Sequence, residues 1–238
     1  MPPAVGGDAL ALVWLALALV VANLALRVVV VALTPPPRRP ADGPPLRTLV
    51  VLGSGGHTAE MFALLRALPP SRYAPRVYVL ADTDTTSAVK VDAHEAAIGA
   101  RLALDETVDD AALELMSDHA LIRIPRSREV GQRYVTSAFS TARATIHAVG
   151  SVWREKPDVV LTNGPGVCLP VCLAAFGWRV LGARAKTAVV YVESVCRVRR
   201  LSLTGEILYR LRIADALFVQ WEGLLAKYPR AIYAGRVV

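Results

Sequence analysis

Residues 49–61 read LVVLGSGGHTAEM, in which four apolar residues lead into a cluster of glycines and then into a helical pattern. The apolar run predicts a buried strand, and the helical pattern continues over Ala59–Ala67. Glycines at such a junction let backbone amides and a helix amino terminus approach an anion. The stretch therefore predicts a phosphate-binding turn within an α/β fold.

The remainder of the folded part alternates short β-branched runs with longer helical patterns, which indicates βαβ units and one parallel sheet. We therefore expect a single Rossmann-like domain. The predicted strands are Thr48–Leu52, Arg76–Leu80, Leu121–Ile124, Asp158–Thr162, Ala188–Val192, Ala216–Val219 and Ala231–Tyr233. The predicted helices are Ala59–Ala67, Gln132–Glu155, Val167–Leu181, Thr204–Ile213 and Trp221–Lys227, with helix also favoured over the less regular segment 85–118.

The amino-terminal segment is apolar enough to cross a membrane. Ala9–Leu26 carries no charge, and after Arg27 the apolar run continues to Leu33, whereas one span needs about 20 residues. A cleaved signal peptide is the alternative, but residues 1–8 contain no Lys or Arg. We predict a short lumenal tail over 1–8 and a retained transmembrane anchor over 9–33.

Charge and proline content divide the chain after this anchor. Residues 34–45 form a proline-rich linker, and the cytosolic domain is predicted over 46–238. The arginines towards the carboxyl-terminal end of the span and beyond it place the bulk of the chain on the cytosolic side by the positive-inside rule. They are Arg27, Arg38, Arg39 and Arg47.

The overall charge and the cysteines narrow the classes of partner. The 238 residues are 54% hydrophobic and carry a net charge of +7, which suits nucleic acid, an anionic membrane or a phosphorylated substrate. With an anchor present, the last two are favoured, and we predict no nucleic-acid partner. The odd count of three cysteines suits a reducing compartment. Cys168 and Cys172 are predicted to be buried hydrophobes, so that no metal site and no cofactor is expected.

Three interpretations of the glycine turn compete. A dinucleotide fingerprint G-x-G-x-x-G matches at Gly53 and Gly55 but has Thr58 in place of its last glycine, although Asp82 or Asp84 could bind a ribose. A Walker loop would need a lysine, which is missing here. The third interpretation is the acceptor-side loop of a two-domain glycosyltransferase.

Several polar residues are expected near this turn. His57 follows two glycines and is either a structural hydrogen-bonding residue or, since its ordinary pKa near 6.5 suits proton abstraction, a general base. Glu60 could orient His57 or merely favour the start of the helix. A second turn, Asn163–Gly166, follows another predicted strand and should lie at the same sheet edge. The segment 122–134, IRIPRSREVGQRY, is either a solvated basic loop or a contact for substrate and lipid headgroups.

Several motifs in order resemble one family. They are GSGGHTAEM, IPRSREVGQ, PDVVLTNGPGVCLP, YVESVCRVRRLSLTGEILY, FVQWEGLL and YAGRV. Together they are similar to the membrane-anchoring subunit of the two-subunit UDP-N-acetylglucosamine transferase of dolichol-linked oligosaccharide assembly, the asparagine-linked glycosylation protein 14 family. The resemblance spans residues 46–238, with a less typical segment at 102–118.

The resemblance implies a division of labour. The fold would be the acceptor half of a GT-B glycosyltransferase, and a small catalytic subunit would supply the donor-binding half. The complex would lie on the cytosolic face of the endoplasmic reticulum membrane. There it would transfer a sugar from UDP-GlcNAc to GlcNAc-diphospho-dolichol, and this chain alone would be inactive. A pure membrane scaffold and an anchored dinucleotide-dependent oxidoreductase remain as alternatives.

The resemblance also assigns roles to residues of this sequence. His57 is the candidate base, with Glu193 in reserve. The predicted substrate contacts are Ser54, Gly55, Gly56, Thr58, Arg126, Arg128, Asn163 and Gly164. The carboxyl-terminal tail is either a plain last strand or, as the resemblance implies, the grip on the catalytic subunit. The predicted partner contacts are Tyr233, Arg236, Val237 and Val238.

Overall fold

A computed structural model describes residues 6–37, 39–40, 42–104, 109–127, 134–164 and 166–236, without the side chains of residues 6–10, 134 and 135. The predicted contacts of Arg128, Val237 and Val238 lie outside the described residues, as does the predicted helix start at Gln132.

The described residues form one seven-stranded parallel sheet with helices on both faces, which confirms the predicted α/β class. The strands are β1 (Thr48–Val51), β2 (Arg76–Ala81), β3 (His119–Ile124), β4 (Val159–Asn163), β5 (Ala188–Val192), β6 (Ala216–Val219) and β7 (Ile232–Tyr233). The helices are α1 (Gly6–Leu33), α2 (Gly56–Ala67), α3 (Thr85–Leu102), α4 (Asp110–Ser117), α5 (Tyr134–Glu155), α6 (Cys168–Val180) and α7 (Leu203–Arg210).

Two helical predictions differ from the structure. The segment 85–118 divides into α3 and α4, whose first turns are capped by the side chains of Asp84 and Asp109. The predicted helix Trp221–Lys227 is wrong, because this segment makes only the single 3₁₀ turn Glu222–Leu224. Pro229 lies shortly beyond and lacks the amide that a continuing helix would need.

The strand order is β3-β2-β1-β4-β5-β6-β7, so that the chain changes direction between β1 and β4. Thr48 pairs with Val159 and Val51 pairs with Thr162, which places the carboxyl ends of both strands together. In open α/β sheets this crevice is where ligands bind. The switch point therefore lies between the two glycine turns predicted from the sequence.

Two apolar layers cover the sheet. Helices α5, α6 and α7 pack on one face, where Cys168 and Cys172 are fully buried as predicted. Helices α2 and α3 cover the other face through residues such as Met61 and Val91. Helix α6 is thus a core helix rather than a second membrane span.

Helix α1 stands apart from these layers. Its segment Ala11–Leu33 is not buried and, within the described residues, is the one helix both long enough and apolar enough to cross a membrane. Its carboxyl-terminal end contacts the domain at α6, where Arg179 Nη2 donates to the carbonyl oxygens of Val31 and Thr34 at 3.5 and 3.4 Å. Arg179 also forms a buried ion pair with Asp215 at 2.7 Å.

A buried charged cluster stabilises the β2 side of the sheet. The guanidinium of Arg76 donates two hydrogen bonds to the carboxylate of Glu95, at 2.7 and 2.6 Å, and both side chains are 2% exposed. The Tyr78 hydroxyl donates to the same carboxylate. Burial alone would raise the pKa of Glu95, but the hydrogen bonds from Arg76 and Tyr78 hold it below its ordinary value.

This cluster predicts how stability depends on pH. Because the folded pKa of Glu95 lies below the unfolded value of about 4.3, its contribution is complete above that pH and is lost as the pH falls through the folded pKa. Glu95→Gln should cost about 3–5 kcal/mol at pH 7, because Arg76 stays buried without its charge partner. When the pH is lowered, the thermal unfolding midpoint of Glu95→Gln should therefore fall less than that of the wild type.

Thermal unfolding of the detergent-solubilised chain at pH 7 and below pH 4 measures both effects. The control is Glu155→Gln, which breaks a partly exposed pair with Arg47 at 2.9 Å and should cost under about 1 kcal/mol. Equal losses in the two variants at pH 7 would contradict the assignment.

Candidate functional site

The glycine turn after β1 places its polar groups at the switch point. Gly55 is the amino-terminal cap of α2 and has φ +67° and ψ −123°, a backbone conformation that favours glycine. Ser54, Gly55 and Gly56 are exposed, so that the first amides of α2 face the crevice. His57 follows in the first turn of the helix, with its side chain 28% exposed.

A chain of hydrogen bonds joins His57 to the second turn and to the end of β5. Nδ1 of His57 lies 3.1 Å from Oδ1 of Asn163, whose Nδ2 donates to Oε2 of Glu60 at 2.9 Å. The Ser194 hydroxyl donates to the other oxygen of Glu60 at 2.7 Å. Glu60, Asn163 and Ser194 are buried, whereas the imidazole is partly open to solvent.

This series of hydrogen bonds indicates which nitrogen of the imidazole carries a proton. The carboxylate of Glu60 only accepts hydrogen bonds, so the Asn163 amide must turn its NH₂ towards Glu60 and its oxygen towards His57. That oxygen also only accepts, so His57 carries its proton on Nδ1. In the neutral imidazole, the nitrogen that keeps a lone pair is then Nε2, and an unprotonated ring nitrogen is what a general base requires.

Gly164 fixes the position of the imidazole from the second turn. It has φ +86°, and an added Cβ there would lie 2.6 Å from Nδ1 and 2.7 Å from Cγ of His57. The His57 ring therefore packs directly against the backbone of the turn after β4. The sequence predicted both turns at one edge, and the structure brings His57, Asn163 and Gly164 into contact.

Arg126 extends the site on the β3 side. Its Nη2 donates to the Ser54 hydroxyl at 3.3 Å, so that a guanidinium lies beside the exposed amides of the first turn. Amides at a helix amino terminus together with an arginine form a favourable environment for a phosphate. Of the predicted basic contacts in segment 122–134, Arg126 is placed at this turn.

Thr58 and Asp84 shape the back of the first turn. The Thr58 hydroxyl is fully buried, donates to the Gly53 carbonyl oxygen and lies 2.9 Å from the Ser87 hydroxyl. Asp84 accepts from the amide and hydroxyl of Ser87. Burial opposes charge on Asp84, but these hydrogen bonds lower its pKa. Substrate contact by Thr58 stays a prediction.

Glu193 holds the loop that follows β5. Its carboxylate is 1% exposed and accepts from the amides of Ser194 and Ser202, at 3.0 and 2.7 Å. The intervening residues 196–200, CRVRR, are exposed at the same sheet edge. These contacts give Glu193 a structural role, and its use as a reserve base stays a prediction.

The tail after β7 contacts the segment that follows β6. Tyr233 lies in the edge strand β7 and is 38% exposed. The Arg236 guanidinium lies over the Trp221 ring, with Cζ 4.2 Å from its centroid, and Trp221 Nε1 donates to the Val195 carbonyl oxygen at 2.7 Å. Partner contact by this tail stays a prediction.

The sequence analysis did not identify Ser194. For Asn163 it predicted a substrate contact but not the hydrogen bond with His57. Ser194 lies 134 positions beyond Glu60 along the chain, and no local pattern links the two residues. The usable signal was the position of both polar residues directly at the carboxyl ends of predicted strands. Among the described residues, no three His, Cys, Asp or Glu side chains are grouped to hold a metal.

The fold and the site define a class: a Rossmann-type α/β domain with an exposed glycine turn and a hydrogen-bonded histidine at its switch point. Similarity to known proteins identifies the family. The family described as "Oligosaccharide biosynthesis protein Alg14 like" matches residues 48–237. The human UDP-N-acetylglucosamine transferase subunit ALG14 is 44% identical over 193 residues, which cover 81% of this chain and 83% of the human protein.

The Yarrowia lipolytica protein of the same name is 40% identical over 200 residues, which cover 84% of each chain. The crystal structure of MurG from Acinetobacter baumannii is similar with a TM-score of 0.49 and 18% identity. That alignment covers 81% of this chain, which spans less than half of MurG, at 44%. On the family match and the identities, this chain belongs to the Alg14 family.

The packing of His57 predicts unequal effects of two similar glycine substitutions. Gly164→Ala should displace the imidazole, whereas Gly166→Ala has φ +80° but open space around its Cβ. Both variants should lose stability by a similar amount, on the order of 1–2 kcal/mol, because both force alanine into a left-handed conformation.

Nitrogen-15 NMR of the histidine rings separates the two effects. In the wild type and in Gly166→Ala, His57 should show a protonated Nδ1 and an unprotonated Nε2. Gly164→Ala should lose this pattern. An unchanged His57 signal in Gly164→Ala would contradict the placement of the ring.

Proposed function

We propose that this chain is the membrane-anchored, acceptor-binding subunit of a two-subunit UDP-GlcNAc transferase that adds the second GlcNAc to GlcNAc-diphospho-dolichol. The observation that carries the proposal is the crevice at the switch point, where an exposed glycine turn meets a histidine whose Nδ1 lies against the Asn163 amide oxygen. Membership of the Alg14 family supports the choice of reaction, since curated relatives are named subunits of a UDP-N-acetylglucosamine transferase.

The acceptor half is proposed because this chain supplies one sheet and one side of a cleft. In the proposed complex, the lipid diphosphate binds the amides of Ser54, Gly55 and Gly56. Arg126 lies beside these amides, and the backbone of Gly164 is a second contact. These groups stabilise negative charge through oriented dipoles and a fixed cation. The catalytic partner subunit holds UDP-GlcNAc across the cleft.

His57 acts as the base in this scheme. Its Nε2 takes the proton from the 4-hydroxyl of the acceptor sugar while that oxygen bonds to C1 of the donor GlcNAc. The bond from C1 to the UDP oxygen breaks with its electron pair, so that UDP departs and the anomeric configuration inverts. Asn163 accepts from Nδ1–H throughout, and Glu60 keeps the Asn163 amide in the orientation that this requires.

The location follows from α1 and the distribution of charge. Helix α1 serves as the single span of the endoplasmic reticulum membrane, with residues 1–8 in the lumen. The arginines after the span favour the cytosolic side for the domain over 46–238. The anchor thereby recruits the partner subunit to the membrane in which the lipid acceptor lies.

The first functional test replaces the proposed base in the reconstituted two-subunit enzyme. His57→Gln removes the basic nitrogen and should lower kcat by about 10²–10⁴-fold, which is the usual contribution of a general base. Sedimentation of the partner subunit with membranes should be unchanged, because His57 lies in the cleft and the proposed grip is the tail. The control is His119→Gln, whose side chain is on the β3 edge and makes a long contact of 4.0 Å to Asp92.

The support of the imidazole is tested by Asn163→Ala. This variant should also lower kcat, because Nδ1–H of His57 loses its acceptor, while sedimentation of the partner subunit stays unchanged. Full transfer by both His57→Gln and Gly55→Ala, with normal partner sedimentation, would instead identify the chain as a pure scaffold.

The second functional test concerns the carboxyl-terminal tail. Deletion of Arg236–Val238 should release the partner subunit from membranes, because it removes the segment proposed to grip it together with the Arg236–Trp221 stack. Arg236→Ala alone separates loss of the stack from loss of the last two residues. Complete retention of the partner by the deletion variant would contradict the proposed grip.

A further inference from the structure

The outer face of α5 carries an apolar stripe. Phe139, Ile146 and Trp153 are 77%, 74% and 45% exposed, and they recur at intervals of seven residues. Residues at this spacing lie on one side of a helix, with a drift of only about 20° per interval. The three side chains, called the α5 stripe below, extend along about 21 Å of the helix.

The α5 stripe is separate from the face that builds the core. Ala144, Ala148 and Val152 are fully buried on the opposite side of α5, where the helix covers the sheet. The helix thus has two apolar faces, of which one has no described cover. Large apolar side chains that recur along one exposed helix face suggest a site of interaction.

Basic groups border the α5 stripe. Arg143 and Arg154 are exposed on the same helix, and the Arg184 guanidinium lies 4.5 Å from the centroid of the Trp153 ring. The sequence of α5 contains one acidic residue, Glu155, which is paired with Arg47. The surface therefore combines apolar side chains with positive charge, which suits an anionic membrane surface better than an acidic or neutral protein groove.

One end of the α5 stripe meets the end of the anchor helix. Trp153 packs on Trp178 of α6, with ring centroids 4.5 Å apart, and Arg184 Nη2 donates to the Trp153 carbonyl oxygen at 3.1 Å. The guanidinium of Arg27 in α1 occupies the space that a Cβ would fill at Gly182, which lies between Trp178 and Arg184. The surface is thus continuous with the point at which α1 leaves the domain.

The other end of the α5 stripe lies towards the candidate site. Ser140, next to Phe139, donates its hydroxyl to the Ser127 carbonyl oxygen at 2.6 Å. Ser127 follows Arg126, which contacts Ser54 in the glycine turn. The α5 stripe therefore connects the root of the anchor to the edge of the cleft.

We propose that the α5 stripe lies in the headgroup region of the membrane and is a second membrane contact of the domain. This inference rests on the proposed function, in which α1 spans the same membrane. Tryptophan is favoured at the membrane interface, and arginines beside it attract anionic headgroups. The contact fixes the rotation of the domain about α1 and holds the cleft where a lipid-linked diphosphate can reach it.

A fluorescent probe in the full chain tests this orientation. Ile146→Cys is labelled with an environment-sensitive dye after Cys196→Ser removes the exposed thiol; Cys168 and Cys172 stay unlabelled because they are buried. Burial also raises the pKa of Cys172 to about 12. The matched control is Val89→Cys, since Val89 is 71% exposed on α3, on the opposite face of the sheet.

The labelled chains are reconstituted into phosphatidylcholine vesicles that contain phosphatidylserine, with or without lipids carrying a doxyl quencher. The dye at position 146 should shift to shorter wavelength and lose most of its fluorescence to the lipid quencher. The dye at position 89 should do neither. Omission of phosphatidylserine should reduce the quenching at position 146, because the flanking arginines then lack anionic partners.

Two results would overturn the inference, and a third would overturn its premise. Incorporation of the chain into vesicles without lipid quenching at position 146 contradicts the second contact. If that dye is protected from aqueous iodide but is not quenched by the doxyl lipids, a protein or a second copy covers the α5 stripe instead. Failure of the chain to enter vesicles at all contradicts the membrane anchor itself.

Discussion

The pairing of β1 with β4 is the constraint on which the site depends. It brings together the two glycine turns, although His57 and Asn163 lie 106 positions apart in the sequence. Nδ1 of His57 is then 3.1 Å from Oδ1 of Asn163, which is close enough for a hydrogen bond. Because both strands are parallel and buried, their register is fixed by the core rather than by the turns. The protonation of His57, the contact with Gly164 and the exposed amides of α2 all follow from that register.

The organisation of the site separates rigid support from open chemistry. Glu60 and Ser194 are buried near the imidazole, and the carboxylate of Glu60 accepts from both Asn163 and Ser194. The residues of the first turn are exposed, and the imidazole of His57 is partly open to solvent. Under the proposed function, these groups form the base and the anion site that one lobe of a two-lobed enzyme presents to a substrate held between the lobes. Helices α5 and α6, which cover one face of the sheet, also carry the α5 stripe and the contact with α1.

Much of the fold could be predicted from sequence because its strands are short β-branched runs and its turns are marked by glycine. The approximate positions of all seven strands and of the two glycine turns followed from local pattern alone. Asn163, however, proved to be the last residue of β4, and its amide serves His57, which depends on contacts between distant segments. The Arg76–Glu95 pair was likewise missed, since nothing local distinguishes a buried carboxylate on α3 from an exposed one. The Trp221–Lys227 helix failed because tertiary contacts of Trp221 and a nearby proline outweigh its helical pattern.

The central claim is that this chain holds the acceptor and leaves the donor to its partner. Its most direct test is equilibrium binding by the isolated chain, reconstituted into vesicles without any partner subunit. We predict saturable binding of a GlcNAc-diphospho-polyprenol, weakened by Gly55→Ala, with neither UDP-GlcNAc binding nor product formation. Binding of UDP-GlcNAc by the isolated chain, or extension of the lipid acceptor in the absence of the partner, would contradict the account.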